Sequence, residues 1–500
     1  MSDLNNPKSK SVTIPPTFSG MRLNEALARL GVIVDSPCGG RGVCGKCRVK
    51  LTGGSLADLS GGIITAGDTP ITLSACRYVC TDAGAVIESL PQSGDMFVRK
   101  KSGSCPDVAG IAVDIGTTTL AVAAVDRNGG IISEVTADNP QKIFGADVIS
   151  RISAAENGKT DIMHRLVCDA VDRAIAELCR DPGVSAPIKG VAAGNPAMTA
   201  LFCGVSPASL ARAPFAPPFT ESRTVRTEKS GAVIRTVPIA SAFIGGDLVC
   251  GALKYRLQVA DRPTLFVDLG TNGEMAVADG RGGLFVASAA AGPALEGAGI
   301  SCGVGGVPGA ICAVVGLEGG RPIFRTVGGK PPTGICGGGL ADLISILLDS
   351  GIITPDGELI GGRYIIDREH DIYITADDVH AYMLAKGAIC AAVVCLVNGA
   401  GLRLADIKRA VIAGGLGSHV NRFSAARTGL LPELIAHIAD FVGNSSLEGA
   451  AACVSDHDFF REAEIFAEKS VTLTLAGSSL FESEFMRCMN FPGFDQDMGE

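Results

Sequence analysis

The chain has 500 residues, of which 47% are hydrophobic and 19% are charged. This composition argues against a disordered protein and predicts about two to four folded domains. The formal net charge of −9 argues against nucleic acid as a partner, because a phosphate-binding surface needs clustered Lys and Arg. We expect no apolar run of membrane-spanning length and no membrane partner, and the polar start MSDLNNPKSK lacks the apolar stretch of a secretory signal. We therefore expect a cytoplasmic protein whose 17 cysteines are mostly reduced thiols.

Three of these cysteines lie close together in the segment DSPCGGRGVCGKCRVKL. Cys38, Cys44 and Cys47 follow the spacing C-x5-C-x2-C, and Cys76 follows in the context LSAC. A 2Fe–2S cluster needs four thiolates, and the plant-type arrangement takes three from one loop and the fourth from a distant segment. A zinc site and buried thiols are the alternatives, but zinc usually takes paired C-x2-C units. The spacing favours a 2Fe–2S cluster held by these four cysteines, with Cys80 as a thiol outside the site.

The flanks of the cysteines predict a small β-rich domain. SVTIPP and CRVKLTGG predict strands, LNEALARLG a helix and GAVIESLP a closing strand. Residues 11–92 resemble plant-type and adrenodoxin-like ferredoxins, and the loop spacing matches the adrenodoxin form. The resemblance implies a β-grasp 2Fe–2S domain over residues 1–92, followed by a short linker over 93–107.

The rest of the chain contains a pattern that occurs twice. VDIGTTTLAVAAVDRNGGIISEV begins at Val113, and VDLGTNGEMAVADGRGGLFVA begins at Val267. Each copy predicts a strand, a tight loop, a second strand, a turn and a third strand, with a typical hairpin turn at Asn128 and Gly129. The repeat therefore predicts two loops of the same chemistry.

The two loops carry groups that bind phosphate. Backbone N–H groups and hydroxyls can cradle phosphate oxygens, and an aspartate at a strand end can hold Mg²⁺ or orient a nucleophilic water. The candidate catalytic residues are Asp114 and Asp268. The candidate ATP-binding residues are Asp114, Gly116, Thr117, Thr118 and Thr119 in the first copy and Asp268, Gly270, Thr271, Asn272 and Gly273 in the second. Glu274 and Glu296 are either further contacts of this site or, respectively, a solvated strand-end carboxylate and a cap or turn residue.

A third element, VIAGGLGSHV, is an apolar strand that runs into Gly414, Gly415 and Gly417. Such glycines let the backbone approach a ring or ribose closely. In this order the motifs resemble those of the ASKHA superfamily, which includes acetate and sugar kinases, Hsp70 and actin. The resemblance implies an α/β fold of two RNase H-like halves, here residues 108–260 and 261–485, with an adenosine motif in the second half and a tail over 486–500.

Taken together, the chain resembles the reductive activators of corrinoid proteins, which join a 2Fe–2S domain to an actin-like ATPase. The resemblance also rests on five strings, AAGNPAMTALFCG (192–204), AGPALEGAGISCGVGG (291–306), GICGGGLADLISILLDSGII (334–353), ITADDVHAYMLAKGAI (374–389) and VGNSSLEGAA (442–451). It implies an ATPase that transfers an electron to an inactive Co(II) corrinoid and produces Co(I) in a methyltransferase or demethylase system of anaerobic metabolism.

The implied partners are a corrinoid protein and an electron donor such as a ferredoxin, a flavodoxin or a reductase, with a homodimer as a further expectation. The implied cofactors are the 2Fe–2S cluster, ATP and Mg²⁺. Two other functions stay open. The chain could be a nucleotide-binding scaffold that delivers electrons without ATP turnover, or an activator of another low-potential enzyme.

Overall fold

The computed structural model describes residues 11–32, 34, 36, 38–42, 47–89, 97–100, 107–180, 184, 188–417 and 420–492. Its architecture is α/β, with a β-rich N-terminal domain followed by two α/β halves. The predicted order of a ferredoxin-like domain and a duplicated ATPase fold is confirmed. Cys44, one of the four predicted cluster ligands, lies outside the described residues.

The N-terminal domain is a five-stranded sheet with one helix. Its elements are β1 (Ser11–Ile14), α1 (Leu23–Arg29), β2 (Arg48–Asp58), β3 (Ile63–Thr65), β4 (Ile71–Ser74) and β5 (Tyr78–Ser89). The strands are ordered β1-β5-β2-β3, and β4 pairs with β2. Leu23 and Leu27 of α1 are fully buried together with Val49, Leu51 and Ile87 of the sheet. The strands and the helix predicted from this segment are all present.

The first α/β half contains a seven-stranded sheet. Its strands are β6 (Phe97–Lys100), β7 (Val108–Ile115), β8 (Thr119–Asp126), β9 (Ile131–Asp138), β10 (Lys189–Gly194), β11 (Thr224–Arg226) and β12 (Val233–Thr236). Its helices are α2 (Val148–Ala154), α3 (Thr160–Leu178), α4 (Pro196–Phe202) and α5 (Gly246–Lys254). The sheet order is β11-β12-β10-β7-β8-β9-β6.

The second half contains a six-stranded sheet and two smaller sheets. Its strands are β13 (Thr264–Leu269), β14 (Gly273–Ala278), β15 (Leu284–Ala289), β16 (Ala310–Glu318), β17 (Arg321–Thr326), β18 (Gly334–Ile335), β19 (Arg363–Asp367), β20 (Ile372–Thr375), β21 (Arg409–Ala413), β22 (Ala439–Phe441) and β23 (Val471–Thr472). Its helices are α6 (Gly337–Asp349), α7 (Ala376–Gly399), α8 (Gly414–Gly417), α9 (Arg422–Arg427), α10 (Glu433–Ile438), α11 (Ser445–Ser455), α12 (His457–Lys469) and α13 (Ser479–Met489).

The two halves repeat one topology. In the first, β7, β8 and β9 form an antiparallel meander, and β10 and then β12 add in parallel on the other side of β7. In the second, β13, β14 and β15 form the meander, and β21 and then β22 add in parallel beside β13. The internal repeat of the sequence is therefore a duplication of structure as well. Equivalent loops at the ends of β7 and β13 occupy the same position in each sheet.

Two helices lie between the sheets and join the halves into one core. Val249 of α5 and Leu447 of α11 are buried in a single hydrophobic cluster with Ala112 of the first sheet and Phe266 of the second. Helix α11 comes from the end of the chain yet packs on β7, β8 and β10 of the first half. Each half is thus a continuous stretch of sequence, but helix α11 of the second half packs on the sheet of the first.

Two predicted boundaries are wrong. The linker predicted over 93–107 contains β6, which pairs antiparallel with β9 because the exposed edge of that strand offers unpaired backbone groups. The tail predicted from 486 begins too early, since α13 continues to Met489 and packs on α7. Phe491 is 2% exposed and belongs to the core of the second half.

The expectation that no apolar run reaches membrane-spanning length is also wrong. By length and composition alone, helix α7 is long and apolar enough to cross a membrane. Its residues are nevertheless mostly buried inside the protein, where they form the centre of the second half. Most of this helix is covered by other parts of the protein, and a helix in such a position is apolar on both faces because it belongs to the core.

Candidate functional site

The predicted cluster ligands that the structure describes lie in the interior of the N-terminal domain. Cys38, Cys47 and Cys76 are buried, at 6%, 1% and 1% exposure. Cys76 lies in a short turn directly after β4, and its Sγ lies 3.3 Å from Sγ of Cys47, which directly precedes β2. Pairing of β2 with β4 therefore brings together two thiols that are distant in sequence.

The described part of the loop that holds Cys38, residues 38–42, is shaped for close approach to a ligand and is called the cysteine loop below. Gly39, Gly40 and Gly42 all have positive φ, between 62° and 76°. Three arginines donate hydrogen bonds to carbonyls around it: Arg22 to Gly40 and Cys76, Arg41 to Cys38, and Arg77 to Gly42. Their positive charge suits a site that gathers several thiolates.

The thiols fit a metal cluster electrostatically. Burial, followed by the neighbouring thiols of Cys47 and Cys38, raises the pKa of Cys76 to about 12. A thiolate here is thus unfavourable until a cation neutralises it, which iron would do. Within the described ranges, no three His, Cys, Asp or Glu side chains converge on a single ion. The four-cysteine cluster site therefore stays a prediction, and its fourth cysteine, Cys44, lies outside the described residues.

Cys80 is the cysteine that its sequence context predicts to lie outside the cluster site. It belongs to β5, in register with Leu56 of β2, and is 3% exposed in the domain core. Burial raises the pKa of its thiol to about 11.

The two glycine–threonine loops lie at the equivalent ends of β7 and β13. We call residues 116–118 loop 1 and residues 270–272 loop 2. In loop 1 a Cβ on Gly116 would lie 2.6 Å from the carbonyl oxygen of Thr119, so only glycine fits the turn. In loop 2 the N–H of Gly270 donates to the carbonyl oxygen of Asn272 at 3.0 Å. At Gly273 a Cβ would lie 2.0 Å from Cδ1 of Ile389, so a larger residue there would require the end of that side chain to move.

Glu296 joins the two loops. Its Oε2 accepts a hydrogen bond from the hydroxyl of Thr118 at 2.7 Å and another from the hydroxyl of Thr271 at 2.8 Å. Loops 1 and 2 thus face one another across a cleft that is only one carboxylate wide at this point. Glu296 is also the last residue of a short 3-10 turn, Pro293–Glu296, so the structure shows both positions left open for it, a contact with the two loops and a place in a turn.

Four further carboxylates line the cleft: Asp114, Asp247, Asp268 and Glu274. Asp114 accepts hydrogen bonds from Asn444 and Ser446 of the α11 region, both at 2.8 Å. Glu274 is 8% exposed, so its interpretation as a solvated strand-end carboxylate is wrong. It accepts a hydrogen bond from Asn272 at 3.2 Å.

The crowding of these acids raises their pKa values. Burial, followed by the charges of Asp247, Asp114 and Glu296, raises the pKa of Asp268 to about 8. Burial and then the charge of Asp114 raise the pKa of Asp247 to about 7. Burial is also the main reason why the pKa values of Asp114 and Glu274 lie above their usual range. A cleft that gathers this much negative charge suits a divalent cation.

The same crowding predicts how stability depends on pH when no cation is bound. In the native protein Asp247 and Asp268 keep protons at pH values where the unfolded chain, with a carboxyl pKa of 3.8, has lost them. Stability must therefore fall as pH rises from about 4 to about 8. We expect the melting temperature of the cation-free protein to decrease between pH 6 and pH 8, and Asp247→Asn to flatten this slope. A melting temperature that stays constant or rises over this interval in the unmodified protein would contradict the assignment.

The predicted adenosine motif lies against the strand end that leads into loop 2. Gly414 has φ of 95°, and a Cβ there would lie 2.5 Å from Oδ1 of Asp268 and 2.4 Å from the carbonyl oxygen of Leu269. Gly415 is exposed, and Gly417 ends the short helix α8. The glycine segment and loop 2 are thus neighbours at one end of the second sheet.

The threonines of the first repeat divide into two groups. Thr118 and Thr119 are exposed, and the hydroxyl of Thr118 donates to Glu296 in the cleft. Thr117 is 7% exposed, and its hydroxyl accepts a hydrogen bond from Asn195 at 3.1 Å. The Thr117 hydroxyl therefore holds the buried side of loop 1 in place, and only the Thr117 backbone is suited to bind phosphate.

The sequence patterns missed the residues that other elements contribute to the site. Asp247 stands in the first turn of α5, and Asn444 and Ser446 stand at the start of α11. A signal existed for each, since GGD and GNSS both precede an apolar helical stretch. Nothing in the sequence placed these helix starts beside Asp114.

Two family models match the chain. The model described as the RACo middle region matches residues 109–260, and the model described as the C-terminal domain of RACo, the ASKHA domain, matches residues 262–499. The chain belongs to the RACo family. The middle-region match contains loop 1, and the C-terminal match contains loop 2 and the adenosine glycines. The family expected from the sequence motifs is thus confirmed.

Relatives within the family have informative names. The corrinoid activation enzyme RamQ of Eubacterium limosum is 31% identical over 380 residues, which are 69% of this chain and 63% of the relative. This chain therefore spans less than two thirds of that relative's length. The [Co(II) methylated amine-specific corrinoid protein] reductase of Methanosarcina barkeri is 26% identical over 423 residues, 75% of this chain and 76% of the relative.

A solved structure matches almost the whole RACo-family chain. The reductive activator for corrinoid, iron-sulfur protein has a TM-score of 0.71 and 27% identity and covers 97% of both chains. A shorter stretch of 51 residues is 47% identical to a component of the Na(+)-translocating NADH-quinone reductase of Actinobacillus succinogenes, covering 10% of this chain and 12% of that one.

Proposed function

We propose that the protein is an ATP-dependent reductive activase, which transfers one electron through a 2Fe–2S cluster to an inactive Co(II) corrinoid and produces Co(I). Its substrate is a corrinoid protein of a methyltransferase system in the cytoplasm. The names of the relatives support this proposal, since they describe a corrinoid activation enzyme, a Co(II) corrinoid protein reductase and a reductive activator.

The observation that carries the proposal is the position of Glu296. Its two hydrogen bonds, to Thr118 and Thr271, hold loops from both halves around one acid-lined cleft. A triphosphate whose oxygens replace this carboxylate would accept the same two hydroxyls. The halves would then close on the nucleotide instead of on Glu296, which is a direct route from binding to domain movement.

The cluster would be held by Cys38, Cys44, Cys47 and Cys76. Cys47 and Cys76 lie side by side, so these two thiols would bind the cluster as neighbours. When bound, a plant-type cluster supplies a one-electron carrier with a potential near about −400 mV. The arginines around the cysteine loop offset the negative charge of four thiolates.

Mg²⁺ and ATP would occupy the acid-lined cleft. Asp114 is oriented by Asn444 and Ser446, so it can hold a water or a metal-bound water in a fixed direction. No hydrogen-bond donor contacts the Asp268 carboxylate within the part of the chain that the structure describes, and its pKa would stay raised until a cation neutralises it. Gly414 and Gly415 border the adenosine beside loop 2.

ATP is needed in this scheme because electron transfer from the cluster to the Co(II) corrinoid is thermodynamically unfavourable. Each 100 mV of unfavourable potential costs about 2.3 kcal/mol for one electron. The ATPase halves would grip the corrinoid partner, and closure on nucleotide would alter that grip so that the cobalt accepts the electron. The electron donor is a small redox protein or a reductase.

The proposal is tested anaerobically with the reduced protein and a Co(II) corrinoid protein. We expect MgATP to accelerate the absorbance change from Co(II) to Co(I) by about tenfold or more, since each ~1.4 kcal/mol by which closure on nucleotide lowers the activation barrier changes the rate tenfold. ADP serves as the matched control. An equal rate and extent of Co(I) formation without nucleotide would overturn the ATP-dependent activity.

A further inference from the structure

The cysteine loop of the N-terminal domain contacts the first ATPase half. A Cβ on Gly39 would lie 2.8 Å from the carbonyl oxygen of Phe144 and 3.7 Å from Cα of Gly145. No side chain can be placed between the two backbones at this point. We call residues 139–145 the docking segment, because the cysteine loop rests on its end.

Helix α1 extends this contact on both sides. Ala28 is 3% exposed and is buried in the hydrophobic core of the first half, which also contains Phe144. Glu25 forms an ion pair with Lys159, with 2.8 Å between Oε1 and Nζ. The cysteine loop is thus held against the ATPase by apolar packing and one charged pair.

The other end of the docking segment is bonded to loop 1. The backbone N–H of Asn139 donates to the carbonyl oxygen of Thr118 at 2.8 Å, and its side-chain Nδ2 donates to the carbonyl oxygen of Gly116 at 2.8 Å. Asn139 is fully buried, so both bonds are shielded from water. Any change of peptide orientation in loop 1 therefore reaches the segment directly.

Arg151 ties the two ends together. Its guanidinium donates to the carbonyl oxygen of Thr117 in loop 1 at 2.5 Å and to the carbonyl oxygen of Gly145 at 3.1 Å. The side chain is fully buried, and burial lowers its pKa to about 9. An arginine in such a position is costly, and in the described residues it bonds to these two carbonyls and to Sδ of Met198.

We propose that Arg151 and the docking segment couple loop 1 to the cysteine loop, so that nucleotide bound at loop 1 changes the packing of the loop that carries the cluster. A phosphate at loop 1 attracts the guanidinium and reorients the Thr117 peptide. Because the same guanidinium holds Gly145, and Gly39 packs on Phe144 and Gly145 without a gap, the displacement is passed to the cysteine loop. Arg151 is a positioning residue in this scheme, which rests on the proposed nucleotide site.

The test uses amide hydrogen exchange on the full-length, cluster-loaded protein, with and without MgATP. In the unmodified protein we expect MgATP to slow exchange in both 139–145 and 38–42 and to shift the midpoint potential of the cluster. Gly39→Ala pushes a methyl group against Phe144 from the side of the cysteine loop. Gly20→Ala is the matched control, since its φ of 82° is equally positive, it lies in the same domain outside the cysteine loop, and its Cβ would meet no atom within 4 Å.

For Gly39→Ala we expect unchanged nucleotide affinity and protection of 139–145, with loss of protection in 38–42 and of the shift in potential. For Arg151→Lys, which keeps the charge but loses the two-ended bond, we expect MgATP to bind without protecting either region. Gly20→Ala should respond like the unmodified protein. A normal response in Gly39→Ala, or a lost response in Gly20→Ala, would overturn the coupling alone. Failure of the unmodified protein to bind MgATP would overturn both the coupling and the proposed function.

Discussion

Replacing Asp268 by Asn should abolish ATP-dependent reduction while leaving the cluster intact. The carboxylate stands at the end of β13, is crowded by Asp247, Asp114 and Glu296, and carries a pKa of about 8. Asparagine keeps the volume but cannot neutralise a cation or orient water as a base. We expect ATP hydrolysis to fall on the order of 10²-fold or more.

The variant should fold at least as well as the unmodified protein. Removing one carboxylate from a crowded set relieves repulsion, so the melting temperature at pH 8 should not decrease. Asp377→Asn, an exposed residue in the first turn of α7, is the matched control and should keep full ATP turnover. The test measures ATPase kinetics and iron content on the same samples. Normal hydrolysis by Asp268→Asn would remove this residue from the site.

Replacing Cys76 by Ala should remove the cluster, whereas replacing Cys80 by Ala should not. Both thiols are buried, at 1% and 3% exposure, and each substitution removes one sulfur atom. Within the described ranges, Cys76 is the one of the two that lies beside a second predicted ligand, with 3.3 Å between its Sγ and that of Cys47. Loss of one of four thiolate ligands should prevent stable binding of the cluster.

We expect Cys76→Ala to lose the visible absorbance and EPR signal of the cluster and all electron transfer to cobalt, with ATP hydrolysis retained. Cys80→Ala should keep its iron and lose only some stability through the small cavity. The reverse result, an iron-free Cys80→Ala beside a coloured Cys76→Ala, would show that the fourth ligand was wrongly assigned.

The sequence predicted the parts of the fold that are written into local patterns. The cysteine spacing, the two glycine–threonine hairpins and the adenosine glycines each lie within one short segment, so periodicity and turn chemistry were sufficient to find them. Cys76 was chosen through its LSAC context; its role as a ligand stays a prediction, and it follows a strand that pairs with the strand after Cys47. These are the places where local and tertiary structure agree.

The remaining parts depend on contacts between distant segments. Asp247 reaches the cleft only because α5 and α11 lie between the sheets, and Arg151 meets loop 1 only because α2 follows the docking segment. Strand β6 falls within the predicted linker, since four residues between the polar, glycine-containing stretches SGD and SGS cannot be distinguished from an extended connection. Helix α7 was missed as an apolar run because small residues and a buried Lys386 interrupt it.

The most direct test of the account mixes the two damaged proteins. Cys76→Ala retains the ATPase cleft and Asp268→Asn retains the cluster, so the mixture contains both functions on different chains. If an electron reaches cobalt only when the nucleotide closes the halves of the chain that carries the cluster, then the mixture with MgATP should form Co(I) no faster than Asp268→Asn alone. Formation of Co(I) by the mixture at the rate of the unmodified protein would contradict the account.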